Sequence, residues 1–249
     1  MQLSAAILLP ICALATLGSV SADAGQPAPS PPAQQRTVPQ AALDAYIELR
    51  QARRAELWRA FPGEQEAIVF AGSSIVEEGP FEAMFPGYTV VNRGIGADTT
   101  IGLLDRLDEI IALRPAKLFL YIGGNDRSRL DDTPEAAFAR LEQIVQGVRE
   151  ASPATQLYVH TLFPREAEHA TWIEAFNTRV RGLDGRDGVD VIDVYPLALG
   201  EGGAIDPVLT NDGIHLLPEG YRRWQKALQS GPLPPKTDPP PSFDAEIKQ

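Results

Sequence analysis

The chain predicts a doubly wound, three-layer α/β domain, with about five parallel strands in one sheet and helices on both faces. Two observations carry this. From about residue 40 to residue 226, short uninterrupted apolar runs of strand length alternate with longer stretches of helical spacing. Strands that read as continuous apolar runs, and are separated by helices, need a sheet buried on both faces, which parallel pairing with right-handed crossovers provides. Size agrees, because roughly 225 residues without the first segment are enough for one domain with a full core.

Taken in order, residues 40–60 have helical spacing, and residues 66–71 (EAIVFA) form a short apolar run read as a buried first strand. Residues 88–92 (YTVVN) are the second strand, and residues 99–112 read as one helix through Ile101, Leu104, Leu107 and Ile111. Residues 117–122 (KLFLYI) are the third strand, followed by a helix over 134–150 with Phe138, Leu141, Ile144 and Val148 on one face. The fourth strand is 156–160 (QLYVH), a helix follows over 172–181, and the fifth strand is 189–193 (VDVID), with a last helix after Pro218. There is no internal repeat.

The ends differ in composition from this body. Residues 1–22 read as a removable export signal, with an apolar stretch from Ala5 to Val20 and small residues at the cleavage points after Ala22 or Ala24. The stretch is short and rich in small residues for a membrane span, which needs about 20 apolar residues. Its start lacks Lys and Arg, which leaves a retained N-terminal anchor as the alternative. Cys12, the one cysteine, lies inside this segment, so a processed chain could form no disulfide, and Ile11 before it does not suit lipoprotein processing. Residues 23–39 form a Pro-rich leader and residues 231–249 a Pro-rich tail, both expected to be disordered tethers around a single domain over 40–230. A net charge of −11 argues against a nucleic-acid partner, which clustered Lys and Arg would have to hold.

Four polar segments follow predicted strands: Gly72-Ser73-Ser74 after the first, Gly94-Ile95-Gly96-Ala97-Asp98 after the second, Gly123-Gly124-Asn125-Asp126 after the third, and Asp212-Gly213-Ile214-His215 after the last and a longer loop. In an open α/β sheet, ligands bind outside the carboxyl ends of the strands, so all four fall on the binding edge. Their side chains are the parts of acyl-transfer chemistry. Ser74 is a candidate nucleophile, too weak an acid to attack an ester without a neighbouring base. A helix N-cap after the strand is the alternative reading of Gly72-Ser73-Ser74. His215 is the candidate base and Asp212, one tight turn away across Gly213, the carboxylate that would orient it. His160, near a strand end, and His169, in a charged loop behind Glu166, compete for the base role. Asn125 offers a side-chain N–H, and Ala97 and Ser74 backbone N–H groups, as oxyanion donors; Gly-Gly-Asn-Asp is equally a turn-forming sequence. The three histidines are scattered and lack zinc-site spacing, so neither metal nor cofactor is expected.

These segments, in this order, resemble those of the SGNH hydrolases, the GDSL-type esterase and lipase superfamily. The resemblance is strongest to its bacterial branch of lysophospholipase-like and platelet-activating-factor acetylhydrolase-like proteins. Residues 72–75 resemble its first block with Ser74 as nucleophile, 92–100 its second, 123–126 its third and 212–215 its fifth. The resemblance spans roughly residues 67–221 and implies a flavodoxin-like three-layer fold, no metal and a shallow, exposed site. It separates the chain from the α/β-hydrolases, whose nucleophile elbow has glycine where Val76 stands. Two positions depart from the family pattern. Ser73 replaces the acid that precedes the nucleophile, and Ala97 replaces the oxyanion glycine, keeping its N–H but adding a methyl group.

The resulting expectation is an exported, periplasmic or secreted serine ester hydrolase that works through an acyl-enzyme on a small-molecule, glycan or lipid ester. An acyltransferase with the same residues, favoured if water is excluded, and a non-catalytic binding module on the same fold are the alternatives.

Overall fold

A computed structural model describes residues 40–236. The expected export signal, leader and the rest of the tail lie outside these residues. Helix α1 (Gln40–Ala60) precedes β1 (Ile68–Gly72), which runs into the short helices α2 (Ser74–Glu77) and α3 (Phe81–Met84). Strand β2 (Val90–Gly94) is followed by α4 (Thr100–Asp105) and α5 (Leu107–Ile111), and β3 (Lys117–Tyr121) by α6 (Gly124–Leu130) and α7 (Pro134–Ala151). Strand β4 (Gln156–His160), α8 (Ala170–Arg181), β5 (Val189–Ile192) and α9 (Pro218–Gln229) complete the order.

The five strands form one sheet in the order β2-β1-β3-β4-β5, parallel throughout. Ile68 stands opposite Val90 on one side and Lys117 on the other, so β1 and β3 flank the point where strand order reverses. The central strand β1 is buried at every position, as its unbroken apolar run requires. One face carries Phe70, Phe119 and Tyr158 in a stacked row with centroids 4.7 and 4.6 Å apart. Phe81 of α3 stacks on Phe70 at 3.9 Å, and the fully buried Trp224 of α9 meets Phe81 edge-on at 5.4 Å. The other face, bearing Val69, Leu118, Leu120 and Leu157, is equally buried, and α4, α5, α7 and α8 pack together as its layer.

Three details differ from the sequence expectation. The helix expected over 99–112 breaks at Arg106, whose backbone leaves the helical region at φ −115 and ψ 14. Its guanidinium turns inward to Asp98, 2.8 Å away, and to the Gly72 carbonyl oxygen at 3.3 Å. Second, the Gly-Gly-Asn-Asp segment is the start of a helix rather than an isolated turn, with Gly123 at φ +122 redirecting the chain into α6. Third, packing continues past residue 230: Leu233 is fully buried, Lys117 Nζ donates to the Pro232 carbonyl at 2.6 Å, and Tyr88 Oη to that of Pro234 at 2.8 Å. Among the described residues no helix is long and apolar enough to cross a membrane.

Candidate active site

Ser74 is the first residue of α2, directly after β1. Ser73 before it is extended (φ −95, ψ −152), occupies the cap position and makes no side-chain capping bond. The segment thus does supply a helix N-cap, at Ser73, while Ser74 stands inside the first turn, where its backbone N–H is one of the donors a helix start leaves without an intrahelical partner. Glycine is required on both sides of this turn. A Cβ on Gly72 would stand 2.0 Å from the Tyr121 carbonyl oxygen of β3, and one on Gly94 2.1 Å from the Glu77 nitrogen. These close approaches let α2 start flush against the strand ends.

The turn holding Asp212 and His215 is built by Thr210 and Gly213. Thr210 Oγ1 accepts from the backbone N–H of Gly213 at 3.0 Å, and Gly213 takes φ +81, a region that glycine occupies without strain. Asp212 Oδ1 accepts from the backbone N–H groups of Ile214 (2.9 Å) and His215 (2.8 Å). Its Oδ2 lies 2.6 Å from His215 Nδ1, and His215 Nε2 lies 2.9 Å from Ser74 Oγ. With the Nδ1 proton donated to the carboxylate, Nε2 is left as an acceptor facing the hydroxyl. Partial burial works against ionisation of Asp212, but the bonds from the His215 ring and the two backbone N–H groups outweigh it and hold the carboxyl well below the usual carboxylate range. The Asp212 side chain is 46 % exposed and that of His215 32 %, so the pair faces solvent.

The other two histidines are placed elsewhere. His160 is buried in the core, its Nδ1 donating to the Leu120 carbonyl at 3.0 Å and its Nε2 accepting from Trp224 Nε1 at 3.1 Å. Burial pushes its pKa down to about 4, so it is a neutral packing residue. His169 Nε2 lies 3.8 Å from Glu166 and 3.6 Å from Glu168 in the 3₁₀ turn before α8.

The loop after β2 returns to the end of β1, where the Ile95 N–H donates to the Gly72 carbonyl at 3.0 Å. Ala97 there adopts φ +61, the left-handed conformation in which glycine is favoured and alanine strained by about 1 kcal/mol. Asn125 Nδ2 donates to the Asp98 carbonyl at 2.9 Å, which ties the amide beside Ala97 and leaves its second N–H available. What holds that amide could not be read from the chain. Arg165, buried in the loop after β4, donates to Asn125 Oδ1 at 3.3 Å and to the Gly124 carbonyl at 3.0 Å. This bond fixes which end of the amide is the donor. Asp126, fully buried, anchors the start of α6 by accepting from the Thr100 N–H at 3.1 Å and from Arg140 Nη2 at 3.0 Å. An arginine or aspartate that pairs inside the fold looks, in sequence, like any surface charge. Among the described residues no group of three His, Cys, Asp or Glu side chains is placed to hold a metal ion.

A cavity of about 710 Å³ lined by Glu142, Arg149, Arg186 and Asp187 holds none of these groups. A second, of about 410 Å³, is lined by Pro80, Met84, Leu216 and Tyr221 together with Glu78, Arg222 and Gln225, and holds none of those groups either.

The comparisons with known proteins fit this geometry. No curated protein matches the chain. A solved structure from Streptococcus pneumonia, provisionally described as a platelet activating factor, is 28% identical with a TM-score of 0.69, over 76% of this chain and 96% of that one. A GDSL-like lipase from Bacteroides thetaiotaomicron shares the fold at 22% identity and a TM-score of 0.59, covering 66% of this chain and 86% of its own. So does a single-site mutant of an acetyl-xylooligosaccharide esterase from Geobacillus Stearmophilus, at 18% and 0.55, over 68% and 94%. The model of the GDSL-like lipase/acylhydrolase family matches residues 77–223, beginning three residues after Ser74 and including Ala97, Asn125, Asp212 and His215. With more than half of its length matched, the chain belongs to the GDSL-like lipase/acylhydrolase family.

Proposed function

We infer that the protein is a serine ester hydrolase that acts through an acyl-enzyme. The observation that carries this reading is the continuous chain from Asp212 Oδ2 to His215 Nδ1 at 2.6 Å and from His215 Nε2 to Ser74 Oγ at 2.9 Å. In this reading His215 takes the Ser74 proton as Oγ attacks the ester carbonyl, then returns it to the leaving alkoxide. Asp212 holds the ring in the required tautomer and stabilises the imidazolium. The N–H groups of Ser74, Ala97 and Asn125 stabilise the charge that develops on the carbonyl oxygen. Water, activated by the same imidazole, then cleaves the acyl-enzyme.

Exposure of Asp212 and His215 favours water over a second alcohol as acceptor, hence hydrolysis over acyl transfer. The acetyl-ester cleavage named for one structural relative supports a small ester as substrate. Export belongs to the same proposal and rests on the composition of residues 1–22.

A panel of p-nitrophenyl esters of increasing chain length, together with acetylated sugars, tests the reading against the purified Ser74→Ala variant. Turnover by the wild type should be absent from the variant. Its fold should be retained, because the hydrogen bond lost between Ser74 Oγ and His215 is worth about 1 kcal/mol. Equal turnover by both proteins would remove Ser74 from the reaction.

A further inference from the structure

Helix α1 lies wholly outside the residues matched to the family, and it is held in an unusual way. Leu43, Tyr46 and Leu49 are 42%, 64% and 63% exposed, so much of its apolar surface faces solvent. Its attachment is polar. Arg50 and Arg54 reach Glu77 at 2.5 and 2.9 Å, and Asp44 receives Arg129 at 3.4 Å. Further along, Trp58 has the guanidinium groups of Arg93 and Arg106 at 4.7 and 5.4 Å from its ring centre.

The links through Glu77 and through Arg129 lead to one turn. Glu77 Oε2, on a side chain only 10% exposed, also accepts the backbone N–H of Gly96 at 2.9 Å. Arg129 Nη1 donates to the carbonyl oxygen of Ala97 at 3.3 Å. The peptide unit between Gly96 and Ala97 is thus held on its upstream side through Glu77 and on its downstream side through Arg129. The first contact is close: a Cβ on Gly96 would stand 2.4 Å from Arg50 Nη1 and 2.9 Å from Glu77 Oε2. The residue so held is Ala97, strained at φ +61, and a strained conformation persists only where its surroundings over-determine it.

We propose that α1 is a clamp on the oxyanion turn, with Glu77 and Arg129 as positioning residues that fix the direction of the Ala97 N–H. The proposal rests on the reading of Ala97 as an oxyanion donor. Arg50, Arg54 and Asp44 act through these two residues and touch no substrate. Loosening the clamp lets Ala97 relax, turns its N–H away from the developing oxyanion, and weakens transition-state binding while ground-state binding persists.

The test is kinetic, on the full chain, with p-nitrophenyl acetate as substrate and phenylboronic acid as a probe whose serine adduct is tetrahedral and anionic. Complete loss of one oxyanion donor costs about 10²–10³ in kcat, so misdirection should cost about tenfold. Arg50→Gln combined with Arg54→Gln, and Asp44→Asn separately, should each lower kcat with KM within about twofold, and should weaken phenylboronic acid by the same factor as kcat. Arg50→Lys with Arg54→Lys should recover part of the loss. Arg53→Gln, which removes a charge from the same helix but joins neither link, should match the wild type. Because the arginines and Asp44 are partly exposed, about 1 M NaCl should reduce wild-type kcat, and should reduce it less in the double glutamine variant, where only the Asp44–Arg129 link is left to screen. Unchanged kcat in both sets of α1 variants, with Ser74→Ala still inactive, would overturn the clamp and leave the esterase reading standing. No hydrolysis of any ester by the wild type would overturn both.

Discussion

At the scale of single residues, two of the histidines illustrate opposite uses of one side chain. His215 is partly exposed, with a carboxylate on one nitrogen and a hydroxyl on the other; His160 sits in the core between a carbonyl and an indole N–H. His160 makes the fold sensitive to acid. Its ordinary value of 6.5 falls to about 4 on burial. Below pH 6.5 the unfolded chain therefore gains a proton that the folded chain refuses, and stability is lost as pH falls through that window. At about 1.4 kcal/mol per tenfold difference in proton affinity, the loss approaches about 3 kcal/mol. Urea denaturation at about pH 7 and about pH 4.5 should show it, and His160→Gln should flatten the difference. An equal pH dependence in wild type and variant would assign the acid sensitivity to other groups. Sequence reasoning singled out Ser74, Asp212 and His215 as candidates because they stand beside glycine-containing turns, Ser74 just after a strand and the other two after a longer loop. It could not see that His160 was closed in on both nitrogens, since the partners Leu120 and Trp224 are 40 and 64 residues away.

At the scale of elements, the strands were legible and the short helices were not. An unbroken run such as 68–71 (IVFA) records burial on both faces directly, whereas α2, α3 and α6 span four to seven residues, too short for a helical period to register. The break between α4 and α5 was hidden for a different reason: the apolar spacing continues through it, and a buried bond from Arg106 to Asp98 decides the local backbone. The same kind of interaction governs α6. Its Asn125 amide is aimed by Arg165, whose planar fork reaches two acceptors at once. Lysine at 165 would keep the charge and lose the fork. Arg165→Lys should therefore lower kcat about tenfold with little change in KM or in the circular dichroism spectrum. A wild-type kcat in that variant would show that Asn125 holds its orientation through Asp98 alone.

For the molecule as a whole, sheet order and site belong together. The order β2-β1-β3-β4-β5 puts the reversal of winding between β1 and β3, the strands that deliver Ser74 and Asn125. The opposite ends of the strands are closed by 231–236, which the sequence offered as tether because its prolines and glycine show no periodic pattern. Packing there depends on one apolar residue, Leu233, and on carbonyl groups of prolines that accept from Lys117 and Tyr88. A chain ended at Ser230 should lose about 2–3 kcal/mol of stability, the usual cost of emptying a buried leucine site, with kcat unchanged at temperatures where it stays folded. Thermal and urea midpoints equal to those of the full chain would show that this segment only rests on the surface.

The placement of α1 and of 231–236 also gives the molecule a direction. The chain enters the described fold at α1, whose Asp44 is two contacts from the Ala97 carbonyl, and leaves it at Lys236, bonded to the Gly87 carbonyl ahead of β2. Entry and exit are therefore at opposite poles. A group joined directly ahead of α1 would be attached near the pole that carries Ser74 and His215. A cargo or support joined beyond residue 236 would sit behind the sheet and leave that pole facing outward.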